Sequence, residues 1–247
     1  MDLGLSGKSV LVTGGSKGIG LACAKAFAAE GCHVHLAARD PARLEAAKTQ
    51  LGGRASVHAV DLRNGAALRE LARACAEVDI LVNNAGDIPG GTLETVDEAK
   101  WRHAWELKLF AYINLTRELY ARMQARRSGV IVNVIGMAAE KPTFEYICGA
   151  TANAGLAAFT KALGKGMAQH GVRVLGVHPP STRTERIVTV MKGAAKAKFG
   201  DENRYQELAA EGPFAGLIEP EQVADVVAFL ASPRCAHLTG VVFNLGP

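Results

Sequence analysis

The first chemistry legible in the sequence is an anion cradle. An apolar run, KSVLVTG (8–14), leads into Thr13-Gly14-Gly15-Ser16-Lys17-Gly18-Ile19-Gly20, and a helical pattern follows. Glycines let the chain turn tightly and let a pyrophosphate approach the backbone. The free N–H groups and partial positive charge of a helix N-terminus attract it. A strand, this loop and a helix inside a βαβ unit form the setting that a dinucleotide-binding loop requires; a tight turn without a ligand is the weaker reading. The second strand run ends Ala37-Ala38-Arg39. A carboxylate there would accept the ribose hydroxyls of NAD. Arg39 instead, with Lys17 in the loop nearby, suits a 2′-phosphate, so NADP(H) is expected over NAD(H). The opposing reading is two solvated charges.

Further side chains could hold an ion. His33 and His35 alternate on one strand, and His58 sits on the next. A polar strand face covered by a helix explains them better than a ligand set, so no metal is expected. The cysteines at 23, 32, 75, 148 and 235 are odd in number, widely spaced and without a CxxC. They read as buried or idle thiols of a reducing compartment.

The elements that must position these groups alternate along the chain. Short β-branched runs cover 8–14, 32–38, 55–61, 78–86, 129–135, 171–178 and 240–245. Helical patterns cover 18–30, 41–51, 64–77, 97–126, 149–169 and 220–231. Strands separated by helix-length segments mean βαβ units and a parallel sheet. The expected fold is α/β: a single Rossmann-type, doubly wound sheet of about seven strands, with helices on both faces, spanning 1–247. Residues 183–216 break the alternation after the sixth strand, where open α/β sheets place their ligands, and read as a lid.

Composition excludes other classes. In 247 residues, 49% are hydrophobic and 21% charged, and the 27 glycines follow no short period, which removes disordered and collagen-like readings. The net charge of +4 comes from scattered basic residues, so nucleic-acid binding gains no support. No apolar run spans a bilayer and no cleavable leader opens the chain, so a cytoplasmic protein without a membrane partner is expected.

These motifs together resemble the short-chain dehydrogenase/reductase family over essentially the whole chain. TGGSKGIG is similar to its TGxxxGxG loop. Asp61-Leu62 resembles its adenine-contacting pair, and Asn83-Asn84-Ala85-Gly86 its NNAG motif. His178-Pro179-Pro180-Ser181-Thr182-Arg183-Thr184 resembles the NPGxxxT segment that meets the nicotinamide, with His178 replacing Asn and Pro180 replacing Gly. The resemblance implies that Thr13, Gly14, Ser16, Lys17, Gly18, Ile19, Gly20, Asp61, Leu62, Asn83, Ala85, Gly86, Pro179, Thr182 and Thr184 contact cofactor. It also implies a homodimer or homotetramer.

The family's catalytic residues are Ser, Tyr, Lys and Asn. Hydride addition to a carbonyl makes an alkoxide that needs a proton, and a tyrosine with a pKa of about 10 serves only if nearby positive charge lowers it. Register counting puts Gly136 at the Ser position, Gly149 at Tyr, Asn153 at Lys and Lys108 at Asn. All four are replaced. Tyr146, seven residues before Asn153, resembles the Tyr-x6-Lys spacing of enoyl-acyl-carrier-protein reductases, a divergent branch of the fold. The expected substitute has Tyr146 as acid or substrate anchor and Lys108 lowering its pKa or binding the oxyanion. Asn153 would bond the nicotinamide ribose. The opposing reading makes Tyr146 a packing residue and turns Lys108 to water or a subunit partner. His178 ends a strand where ligands bind and is a further candidate for proton transfer. Arg183, Arg186, Lys192, Lys196 and Lys198 make the lid basic, as a solvated helix face or a welcome for an anionic substrate. Two functions follow: an NADP(H)-dependent oxidoreductase acting on a small molecule with a carbonyl or activated double bond, or a catalytically silent NADP(H)-binding sensor or subunit.

Overall fold

A computed structural model describes residues 2–210 and 216–246. Its strands are β1 (Ser9–Thr13), β2 (His33–Ala38), β3 (Ala55–Ala59), β4 (Ile80–Asn83), β5 (Gly129–Val134), β6 (Val172–His178) and β7 (Val241–Asn244). They form one sheet in the order β3-β2-β1-β4-β5-β6-β7, and every pairing is parallel. Burial on both faces is why the strands read as near-continuous apolar runs: all four residues of β4 are buried. The strand order reverses between β1 and β4, which opens a crevice beyond their carboxyl ends.

Helices α1 (Gly18–Ala29), α2 (Pro41–Gln50), α3 (Gly65–Ala74), α4 (Glu98–Trp105), α5 (Ala111–Ala125), α6 (Ile147–Met167), α7 (Glu185–Phe199), α8 (Tyr205–Ala210) and α9 (Pro220–Ala231) surround the sheet. Alternation along the strands divides the core. Val10, Val12, Val34 and Leu36 pack with Phe27, Val223 and Val227 on one face. Leu11, Leu81 and Ile131 pack with Leu68, Leu71, Leu115 and Leu119 on the other. Side chains cap several helices: Asp40 accepts from the Arg43 amide, Asn64 from Ala66 and Ala67, and Asp97 from Lys100. Helix α1 starts at Lys17 without a side-chain cap, so its first turn keeps free amides at the mouth of the crevice.

The structure corrects the expected helix over 97–126. A five-residue π turn, Glu106–Phe110, separates α4 from α5 and carries Lys108. Such turns add one residue to the helical circuit and re-aim the side chains on it. The lid expected at 183–216 is α7, a 3-10 turn (Glu202–Arg204) and α8; its residues 211–215 lie outside the described residues, as do the chain ends 1 and 247. Among the described residues, no helix is long and apolar enough to cross a membrane.

Candidate active site

The glycine loop and the β4 loop are sewn together at the crevice. The Thr13 hydroxyl accepts from the amides of Asn84 (2.9 Å) and Ala85 (3.1 Å) and donates to the Val82 carbonyl (3.3 Å). Asn84, which sequence reasoning passed over, returns its side-chain amide to the Thr13 carbonyl at 3.0 Å. Two glycines are compulsory here. Gly14 has φ +67°, and a Cβ on Gly20 would stand 2.2 Å from the Gly14 carbonyl oxygen and 2.5 Å from Asn84 Nδ2. Ser16 and Ile19 are half-buried, and Gly18 (φ +54°) lies against Thr184, whose Cγ2 would be 3.1 Å from a Cβ there. Thr184 also caps α7 through the Ile187 amide. Helix α7 therefore starts against the glycine loop.

The remaining expected cofactor residues divide. Leu62 is buried in the core, and Asp61 is exposed, with Arg63 3.4 Å away. Ala85 is buried, and Gly86 faces the Lys108 stem, whose Cδ would be 3.0 Å from a Cβ. The Pro179 carbonyl accepts from the Met137 amide, and the Thr182 hydroxyl donates to the Pro180 carbonyl. The Asn83 side chain is engaged inside the protein. Its amide donates to Thr116 Oγ1 (3.1 Å) and Asn133 Oδ1 (3.0 Å), and Asn133 continues to Thr160 (2.9 Å). That side chain stitches β4 to β5 and the flanking helices inside the protein, because a buried amide must be paired.

The cations expected to meet adenosine are partnered by acids. Lys17 Nζ and Arg43 Nη1 lie 3.2 Å and 3.1 Å from the same Glu185 oxygen, and Arg39 is 4.0 Å from Asp87. Arg43 thus joins the expected pair, although sequence reasoning did not name it. Its signal was its place one turn into the helix that follows Arg39.

At the other end of the crevice, Gly136, Gly149 and Asn153, three of the positions where the resemblance places catalytic residues, pack against one another and Tyr146. Gly136 has φ +133°, and a Cβ there would meet Asn153 Nδ2 at 2.9 Å. A Cβ on Gly149 would fall 2.1 Å from Cε1 and 2.2 Å from Cζ of Tyr146. The Tyr146 ring therefore fills the space in front of Gly149, from a position three residues earlier in sequence. Asn153 is 4% exposed, and its Oδ1 has no hydrogen-bond partner. His178 is fully buried with both ring nitrogens unpartnered and Nε2 3.5 Å from a Glu140 oxygen. Burial lowers its pKa against the opposing pull of Glu140, so it is neutral at neutral pH.

Lys108 is 8% exposed. Its Nζ donates to the Val134 carbonyl (2.8 Å) and the Tyr112 hydroxyl (3.1 Å), and Tyr112 donates to the same carbonyl (3.1 Å). Burial, aided by the positive charge of Arg186, lowers its pKa from 10.5 to about 7. Lys108 Nζ is spent on Val134 and Tyr112, and the cation whose charge acts on the Tyr146 phenol is Arg186 from α7, which also donates to the Ile88 carbonyl. Burial raises the Tyr146 pKa despite Arg186, so the phenol keeps its proton. Sequence reasoning had Arg186 only as one of several lid cations, because nothing in the spacing distinguishes it from Arg183 or Lys192.

The residues fit a dinucleotide. The orphaned Asn153 Oδ1 is a buried acceptor that a ribose hydroxyl would satisfy, and Gly14 and Gly20, where a Cβ would strike Asn84 and the loop backbone, let the glycine loop close tightly before the uncapped amides of α1, which suit a pyrophosphate.

Comparison with known proteins agrees with this geometry. The family model described as short chain dehydrogenase matches residues 8–194. The chain is 30% identical over 243 residues to 2,3-dihydro-2,3-dihydroxybenzoate dehydrogenase of Bacillus subtilis, covering 96% of this chain and 93% of that one. It is 32% identical to a 3-oxoacyl-acyl-carrier-protein reductase of Vibrio cholerae, covering 98% and 97%. Among solved structures, L-sorbose reductase from Gluconobacter frateurii, complexed with NADPH and L-sorbose, superposes with a TM-score of 0.91 at 33% identity, covering 99% and 97%. A single-residue variant of actinorhodin polyketide ketoreductase with NADPH superposes at 0.92 with 28% identity, covering 97% and 95%. With a parallel sheet built around the same crevice and a glycine loop at its mouth, the chain belongs to the short-chain dehydrogenase/reductase family of oxidoreductases.

Proposed function

We propose that this protein is an NADP(H)-dependent oxidoreductase that reduces a carbonyl or an activated double bond through a lysine-tyrosine-arginine site. The observation that carries the reading is Lys108. A lysine 8% exposed, held by a carbonyl and a phenol and by no carboxylate among the described residues, is costly to bury. A π turn at the crevice holds it there, and a pKa of about 7 poises it to give up a proton at neutral pH.

When bound, the nicotinamide supplies the hydride. This chain's residues do the rest. Lys17, Arg39 and Arg43 bind the 2′-phosphate of adenosine, with Glu185 yielding its two partners. The uncapped amides of α1 receive the pyrophosphate, and Asn153 Oδ1 accepts from the ribose. Tyr146, a neutral phenol steadied by Arg186, donates a hydrogen bond to the substrate oxygen. Lys108 Nζ holds the proton that the reduced oxygen or carbon must receive. Its residual positive charge and that of Arg186 stabilise negative charge as it develops. The NADPH-bound sugar and polyketide reductases among the structural relatives support both the cofactor and the carbonyl class.

The test is titration of NADPH and NADH against intrinsic tryptophan fluorescence, followed by NADPH consumption with ketones, aldehydes and enoyl thioesters. The expected result is tighter NADPH binding and turnover of one of these classes that is lost in Lys108→Met. Binding without turnover across the panel overturns the enzymatic reading and leaves a cofactor-binding protein. Absence of binding to either nucleotide overturns both.

A further inference from the structure

A second cluster, away from the crevice, has the donors of a transition-metal site. Strand pairing sets Ala37 against His58 and His35 against Ser56, so His35 and His58 are diagonal neighbours on one face of the sheet. The C-terminus of α3 lays Cys75 over that face. His35 Nδ1 is 3.1 Å from His58 Nε2, and Cys75 Sγ is 3.6 Å from the same nitrogen. All three donor atoms lie within 4.8 Å of one another. In a tetrahedral zinc site, bonds of about 2.0–2.1 Å to nitrogen and about 2.3 Å to sulfur put neighbouring ligand atoms about 3.3–3.7 Å apart. Two of the three separations are already close to this, and only the His35–Cys75 edge must close.

We propose that His35, His58 and Cys75 bind one zinc-class divalent ion, with the fourth position open. The side chains are in the forms a metal needs. Both imidazoles have lowered pKa values, His35 at about 4, so each is neutral at neutral pH, and a tautomer shift that ends their mutual hydrogen bond would turn both lone pairs to an ion. Burial keeps Cys75 as a thiol, so an arriving ion displaces one proton to water and takes the thiolate. His33 sits beside the cluster, with its ring 4.9 Å from that of His35, but is engaged with Ser56 at 3.0 Å. A cavity of about 330 Å³ adjoins the cluster on the His58 side, and its wall also carries Glu70. A water would complete the tetrahedron. The ion would tie the edge strand β3 to β2 and α3, directly before Asp61 and Leu62 on the rim of the crevice.

The test uses the whole protein, stripped with chelator and reloaded. Zn(II) is titrated by calorimetry, and Co(II) is added as an optical probe. The expected result is one ion per chain, and a Co(II) complex showing both a thiolate charge-transfer band and tetrahedral d–d bands. Cys75→Ser is expected to abolish the charge-transfer band. Loss of a ligand is expected to weaken Zn(II) binding at least about 100-fold, beyond what outer-shell changes cost. His58→Gln, checked for fold by circular dichroism, is the second variant. Zn(II) affinity in the wild type no higher than in both variants, or Co(II) binding without the charge-transfer band, overturns the proposal. These readouts do not depend on turnover, so failure here leaves the proposed oxidoreductase untouched, and the converse.

Discussion

Replacing Lys108 by methionine should make this protein more stable and inactive at once. In the unfolded chain the ammonium titrates near 10.5; in the fold it titrates at about 7. That depression corresponds to about 5 kcal/mol of penalty for the charged form, at about 1.4 kcal/mol per pH unit. The sign follows from proton counting. Between pH 7 and 10.5 the unfolded chain binds more protons than the native one, so native stability rises with pH across that window. Below pH 7 the full penalty is present. Methionine fills nearly the same volume without charge. The variant loses the bond from Nζ to Val134, a net loss of about 1 kcal/mol, but the carbonyl keeps its bond from Tyr112 at 3.1 Å. The balance at pH 7 is a gain of about 2–4 kcal/mol, or about 5–15 °C in Tm for a chain of this size. Thermal denaturation of both proteins from pH 6.5 to 10 is the assay. The gap should be largest at the acid end and close toward pH 10. Reductive kcat/KM should fall about 10²–10⁴-fold in the variant, and in the wild type should decline as pH rises through about 7, where Lys108 loses its proton. A variant that is less stable at pH 7, a stability gap independent of pH, or unchanged turnover would each refute the reasoning.

Other perturbations separate the parts of the site. Tyr146→Phe keeps the ring in front of Gly149, so it should fold normally while kcat/KM drops about 10²–10⁴-fold in steady-state assays. Gly149→Ala drives a Cβ into that ring, so turnover should fall in the same assay while fluorescence titration finds NADPH affinity unchanged. Gly20→Ala has no such escape, because its Cβ meets a backbone carbonyl; NADPH binding should be lost and stability reduced by about 1–3 kcal/mol in denaturant titrations. Arg39→Ala should cut the preference for NADPH over NADH about 10–100-fold, read from the two dissociation constants, with NADH affinity little changed.

The sequence alone determined the sheet, its parallel sense and the place of the nucleotide loop. These rest on signals local to the chain: apolar runs of strand length, helical spacing between them, and glycines where a strand must turn into a helix. Register counting along it also led to the expectation that Gly136, Gly149, Asn153 and Lys108 stand where the family keeps its catalytic residues. What took their place was decided by tertiary structure, because it depends on which distant side chains meet. Tyr146 reaches the space in front of Gly149 by folding back over the start of α6. Lys108 is aimed by a π turn whose extra residue leaves no mark on the helical pattern. Arg186, one cation among several on α7, comes to act on the Tyr146 phenol only in the folded chain. The pairing of the Asn83 side-chain amide with Thr116 and Asn133 inside the protein likewise joins residues distant in sequence. His35, His58 and Cys75 are widely separated in sequence. Parallel pairing of β2 with β3, and the end of α3 above them, bring their donor atoms within 4.8 Å, and no spacing rule along a single strand could have shown it.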